Sequence, residues 1–171
     1  MNIPLGRIRA QRKNGSECIG DTGCLVQHFW SWAFSDVLSN ATRGVLAEYI
    51  VAAAIGADDE VREEWRAYDL QSPEGVKVEV KASAYIQAWA QPKFSTISFG
   101  IGKTLAWDAD TGRYGQDKRR HADVYVFCLL TTKDPGAIDP LDIDQWEFYV
   151  IPTSTLDSQC GERSSIGLRE V

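Results

Sequence analysis

From Val76 to Ser83 the chain alternates, with Val76, Val78 and Val80 at every second place and Lys77, Glu79 and Lys81 between them. Successive side chains of a strand point to opposite faces, so this segment reads as a strand with one apolar and one charged face. Ser72-Pro73-Glu74-Gly75 marks a tight reversal before it, and Trp65 to Leu70 is predicted to be its hairpin partner. Apolar residues recur every three or four places from about Asn40 to Ile55, as in a helix packed on one side. Asn40 or Thr42 can cap its start, and Gly56 suits the left-handed position past its end. The aromatic segment Leu25 to Leu38 is read as a further helix, with Phe29, Trp30, Trp32 and Phe34 assigned to core or dimer contact. Phe94 to Ile101 alternates as a strand should, and Gly102 to Gln116 is read as a loop with a helical turn. Ala122 to Leu130 is apolar apart from Asp123, the pattern of a strand buried on both faces. Asp134 to Asp144 reads as an acidic loop, Trp146 to Ile151 as a strand, Ser154 to Ser158 as a short helix, and Ser165 to Leu168 as a last strand.

These elements predict an α/β domain with a central mixed sheet flanked by helices. Its 171 residues, 44% of them hydrophobic, suit one core. The first twenty-four residues are polar and basic, so we divide the chain into an arm (1–24) and a single domain (25–171). The net charge of −6 is unhelpful for a protein that meets phosphates, but its distribution is uneven. Arg7, Arg9, Arg12 and Lys13 stand together without an acid, and Arg113, Lys118, Arg119 and Arg120 surround a single Asp117. Local potential decides such contacts, although a solvated surface accounts for both patches equally well.

Several chemistries drop out. Two histidines leave almost no material for a Ser-His or Cys-His hydrolase. Cys18, Cys24, Cys128 and Cys160 form no Cys-x-x-Cys pair, so free thiols in a reducing cytoplasm are expected. Asp108-x-Asp110-x-Gly112 lacks the later ligands of a calcium loop. No stretch approaches the ~20 apolar residues of a membrane span.

What remains is the charged face of the Val-alternating strand. Glu79 and Lys81 are neighbours there, and the hairpin brings Asp69 close to Glu79. Two carboxylates and the Val80 backbone carbonyl present hard oxygens of the kind Mg²⁺ prefers, with Mn²⁺ as a substitute. Lys81 beside them can orient an attacking water or stabilise a pentavalent oxyanion. A Glu-x-Lys step alone is common as an exposed ion pair; Asp69 and the preceding helix with its Glu48 set this one apart.

Asp69…Glu79-Val80-Lys81 resembles the signature of the PD-(D/E)XK phosphodiesterase superfamily, to which restriction endonucleases belong. The resemblance covers about residues 40–130, and the Ser83 after Lys81 is similar too. It implies a restriction-endonuclease-like core, Mg²⁺-dependent phosphodiester hydrolysis, DNA as substrate with RNA left open, and a homodimer that cuts both strands. It implies catalytic roles for Asp69, Glu79, Lys81 and the helix acid Glu48, with metal ligation by Asp69, Glu79 and Val80. It also implies a further helix and strand after the Glu-x-Lys strand. Tyr68 stands before Asp69 where the pattern has proline, and little chain is left for a separate first strand. Gln87 is a candidate for the phosphate side, as are Arg119 and Arg120; Trp89 is assigned to the core. Members that have lost catalysis keep the fold, so a binding or interaction module is the competing expectation.

Overall fold

The computed structural model describes residues 6–171; the first five residues of the expected arm lie outside them. Helix α1 (Val26–Phe34) and helix α2 (Asn40–Ala54) come first. The Ser39 hydroxyl caps α2 by accepting from the Thr42 N–H, one residue earlier than the sequence suggested. Gly56, at φ +67°, ends the helix in the left-handed conformation expected of it.

Strands β1 (Leu70–Gln71) and β2 (Lys77–Ala84) form the hairpin, turning at Gly75 with φ +90°. The expected partner strand is cut to two residues. Trp65 to Asp69 instead follow bends, with Arg66 tied back to Glu63 at 2.8 Å. Strand β2 then runs parallel to β6 (Val124–Leu130), which pairs antiparallel with β7 (Trp146–Pro152). The result is a mixed sheet in the order β1-β2-β6-β7.

Strand β6 is its centre and is buried on both faces, as its composition requires. Val126, Cys128 and Leu130 join Val78, Val80 and Ala84 of β2 beneath α2, where Ala47 and Val51 let the helix approach closely. Tyr125, Phe127 and Leu129 point to the other face, against Phe99, Ile101 and Ile166 and helix α3 (Thr153–Cys160). Phe99 and Phe127 meet with ring centroids 5.0 Å apart. Phe99 and Ile166 lie on a small second sheet formed by β3 (Ser98–Gly100) and β8 (Ser165–Gly167).

Parallel strands need a long crossover, usually a helix. Among the described residues none occurs between β2 and β6. The link is made by β3 and an antiparallel hairpin, β4 (Thr104–Asp108) with β5 (Arg113–Arg119). The segment 102–116 is therefore not the loop the sequence suggested. Asp108 and Gly112 build its turn: Asp108 accepts from the Asp110 and Thr111 N–H groups, and Gly112 takes φ +65°. All of β5 is exposed, so no apolar period announced it.

Three further expectations change. No residue of α1 is buried, and Trp32 is 84% exposed, so its aromatics are not part of this chain's core. Trp89 is exposed rather than buried. Arg120 lies inside the protein instead of facing a phosphate: its guanidinium donates to the Ile101, Gly161 and Arg163 carbonyls and to Asp157 at 2.6 Å. Removing that strut strands several acceptors. Arg120→Met should lower unfolding free energy in urea by about 3 kcal/mol, whereas exposed Arg119→Met should stay within about 0.5 kcal/mol. Equal effects of the two would refute the strut.

Candidate active site

The site forms where β1 gives out. Beyond Leu70, β2 has no strand on that side among the described residues, and its backbone donors need other partners. Asp69 supplies one. Its own N–H donates to the Val78 carbonyl at 3.1 Å, and its carboxylate Oδ2 accepts from the Val80 N–H at 2.7 Å. A side chain thus continues the ladder where the backbone has turned away, and the carboxylate is fixed beside β2.

On the same strand Val78 and Val80 enter the core under α2, which turns Glu79 and Lys81 to the opposite face. The Lys81 ammonium donates to Glu79 Oε1 at 2.5 Å. Tyr125 lies opposite Glu79 in the parallel register, so the apolar core borders the acid directly. Glu48, from α2, meets Arg62 in a two-pronged ion pair, its Oε1 accepting from the Arg62 Nη2 at 2.9 Å.

The fields of these groups overlap. Burial, followed by the charge of Glu79, pushes the Asp69 carboxyl up to about 6, against the opposing pull of Lys81 and the Val80 N–H. Burial disfavours the Lys81 ammonium, but Glu79, Asp69 and Glu48 outweigh it and raise its pKa. Burial and the Glu79 charge push the Tyr125 hydroxyl up to about 12. Asp69, Glu79, Lys81 and Glu48 therefore share one electrostatic environment.

Two clefts meet at Asp69. One, of about 380 Å³, runs between α2 and the acidic segment 57–63 and contains Glu48 and Arg62. The other, of about 540 Å³, holds Asp69 and Glu79 together with Trp65, Leu105, Trp107 and Tyr114. Among the described residues no three His, Cys, Asp or Glu side chains are gathered closely enough to hold a metal ion. Two carboxylates at the mouth of a cleft still suit Mg²⁺, which keeps most of its waters and needs only one or two such ligands. Burial and then the Glu79 charge disfavour the Asp69 carboxylate, and a cation beside it would favour it.

Other candidates lie elsewhere. Gln87 spends its amide on the Arg43 guanidinium, the Ala84 carbonyl and the Ser95 hydroxyl, so it is a knot between α2 and the loop after β2. Arg119 is exposed on β5. Part of the basic arm is neutralised: Arg7 pairs with Glu63 at 2.6 Å, and Arg12 lies 3.7 Å from Asp59. Sequence reasoning missed Arg62, although it is the one cation in an otherwise acidic run from Asp58 to Glu64. It also missed Trp65 and the aromatic pair Trp107–Tyr114 as parts of a cleft. No helix among the described residues is long and apolar enough to cross a membrane.

Fold and site together define an α/β protein with two carboxylates and a lysine at an open sheet edge. A family profile for bacteriophage T4 endonuclease IV matches residues 26–159, most of the chain and all of this site. The chain belongs to that family, which makes a nuclease its class. No curated protein matches the chain.

Asp69 binds its proton more tightly in the folded chain than in the unfolded one. The stability it contributes is full below its ordinary pKa of 3.8 and is lost as pH rises through about 6. In metal-free protein, Asp69→Asn should therefore be more stable than the parent at about pH 7 by on the order of 1–3 kcal/mol. The two should converge near about pH 4. Urea unfolding at both pH values checks this, and a difference independent of pH would contradict it.

Proposed function

We propose that this nuclease hydrolyses DNA phosphodiesters with Mg²⁺ at a centre of the PD-(D/E)XK type. What carries the reading is the convergence of three side chains: Asp69 and Glu79 line one cleft, Lys81 is hydrogen-bonded to Glu79, and burial together with the Glu79 charge raises the Asp69 pKa. Membership in an endonuclease family supports phosphodiester hydrolysis, and DNA is the substrate class most consistent with it.

In this proposal Asp69, Glu79 and the Val80 carbonyl would hold Mg²⁺, which when bound supplies an acidified water and neutralises charge on the phosphoryl group. Lys81 is charged, because the surrounding acids raise its pKa. It therefore donates hydrogen bonds, either to the attacking water or to the oxyanion that forms, and it does not abstract a proton as a base would. To do so it leaves Glu79, whose oxygen then becomes free for ligation. Glu48 orients neighbouring groups through Arg62. The tyrosine and phenylalanine core beneath Glu79 excludes water from one side, so charge–charge interactions there are stronger than in bulk solvent.

One observation favours a competing reading, a nuclease-fold module that binds without cutting: Lys81 and Glu79 satisfy each other, and the described acids form no closed metal cage. Metal binding separates the two. The purified protein should bind Mn²⁺ by calorimetry and cut plasmid or single-stranded DNA with Mg²⁺ or Mn²⁺. Glu79→Gln should lose the metal. Lys81→Ala should keep it while cutting at least about a hundredfold more slowly. A parent protein that binds no Mn²⁺ and leaves duplex, single-stranded and branched DNA intact would overturn the catalytic reading.

A further inference from the structure

The cleft that contains Asp69 and Glu79 has a second half with no part in metal chemistry. Its far wall is the hairpin β4–β5. There Trp107 and Tyr114, paired across the strands, meet edge to face with ring centroids 4.9 Å apart. Its near wall is Trp65, from the bends that lead into Asp69. Trp65 is 67% exposed and Tyr114 is 60% exposed, although both are large apolar rings inside a concavity. Leu105, also exposed, completes the lining.

Core packing does not account for these rings. The hairpin stands away from both hydrophobic cores, and neither Trp65, Trp107 nor Tyr114 belongs to either of them. An aromatic lining left in water beside two carboxylates is costly unless something flat and apolar enters it. Charge indicates what that is. Lys118 is exposed on β5 and lies directly opposite Leu105 in the strand register, on the face of the hairpin that carries Trp107 and Tyr114. An apolar slot with a cation beside it, opening onto two carboxylates, matches a nucleotide: ring into the slot, backbone phosphate on Lys118.

We infer that Trp65, Trp107 and Tyr114 form a nucleobase-binding subsite. It seats the base next to the phosphate that reaches Asp69 and Glu79, while Lys118 holds the flanking backbone. The inference rests on the nuclease reading above and adds residues that determine where along the strand the cut falls.

Binding without metal tests it, so the result does not depend on turnover. The probes are a ten-nucleotide oligodeoxythymidylate and the same oligomer with its four central positions abasic, followed by quenching of tryptophan fluorescence and by anisotropy of a labelled end. The intact oligomer should bind the parent protein more tightly than the abasic one. Tyr114→Ala and Trp65→Ala should each lose roughly five- to a hundredfold for the intact oligomer and little for the abasic one. Tyr114→Phe should keep the parent affinity, since the ring and not the hydroxyl does the stacking. Lys118→Gln should weaken both oligomers alike and flatten the salt dependence, as loss of a phosphate contact does.

All of these side chains are exposed or half-exposed, and an unchanged circular-dichroism spectrum will confirm folding. The phenylalanine variant covers the case in which the alanine variants fail to fold. If intact and abasic oligomers bind the parent alike, or the alanine variants weaken both equally, the subsite is refuted. When that happens in protein that still cuts DNA with Mg²⁺, the nuclease reading stands and only this inference falls. Absence of both cutting and Mn²⁺ binding is instead the failure of the nuclease reading.

Discussion

A single hydrogen bond, from the Val80 N–H to the Asp69 carboxylate, ties the geometry of the candidate site to the fold. It exists because β1 is only two residues long, which leaves the outer side of β2 with an unpaired backbone donor. A longer β1 would satisfy that donor with a carbonyl and carry residue 69 away along a regular strand. The short one makes a side chain do the work of a backbone. As a result the carboxylate is fixed against β2 beside Glu79, although Asp69 itself lies in the bends that lead into β1.

That placement costs stability. Asp69 sits against buried surface and beside a second acid, and its raised pKa records the cost. Lys81 offsets part of it. Two carboxylates and one ammonium leave net negative charge in a half-buried place, and Glu48 adds more from α2 until Arg62 balances it. The rest of the structure gives this cluster rigid walls. Phe127 and Phe99 fix β6 from below, α2 packs closely on β2 through Ala47 and Val51, and Arg120 ties the start of β6 to α3 and to the loop at Gly161. Among the described residues neither core contains a buried acid.

How much of this the sequence disclosed depended on how much each element relies on periodicity. Strand β2 was readable because its valines alternate with charges, and β6 because a short run apolar at every position suits a strand covered on both faces. Asp69, Glu79 and Lys81 followed from β2, since the turn at Pro73 and Gly75 sets the register between the two acids, and Glu48 came from the periodic helix before it. The hairpin β4–β5 was not readable in that way. Both of its faces meet water or a cleft, so Thr, Lys, Arg and Gln fill positions that would alternate in a half-buried strand. Arg120 looked like its neighbour Arg119; only tertiary packing separates an enclosed guanidinium from an exposed one. Trp89 and the rings of α1 misled for the opposite reason, as large apolar residues do not say whether they lie inside.

The hairpin that escaped prediction also decides what kind of surface faces the carboxylates. A helix in the crossover between parallel strands would cover β2 with an apolar stripe and bury its own inner face. A two-stranded ribbon cannot do this. It has no core of its own, and it is held mainly at its root, where the His121 ring meets the Thr104 carbonyl at 2.8 Å and Lys103 pairs with Glu162 at 2.5 Å. Its tip lies near the arm, with Arg7 3.8 Å from Asp110. Replacing a packed helix with a ribbon anchored in this way leaves a gap of about 540 Å³ between Trp65 and Tyr114, opening onto Asp69 and Glu79. The same substitution that departs from a helical crossover therefore creates the room in which a substrate can approach the two acids.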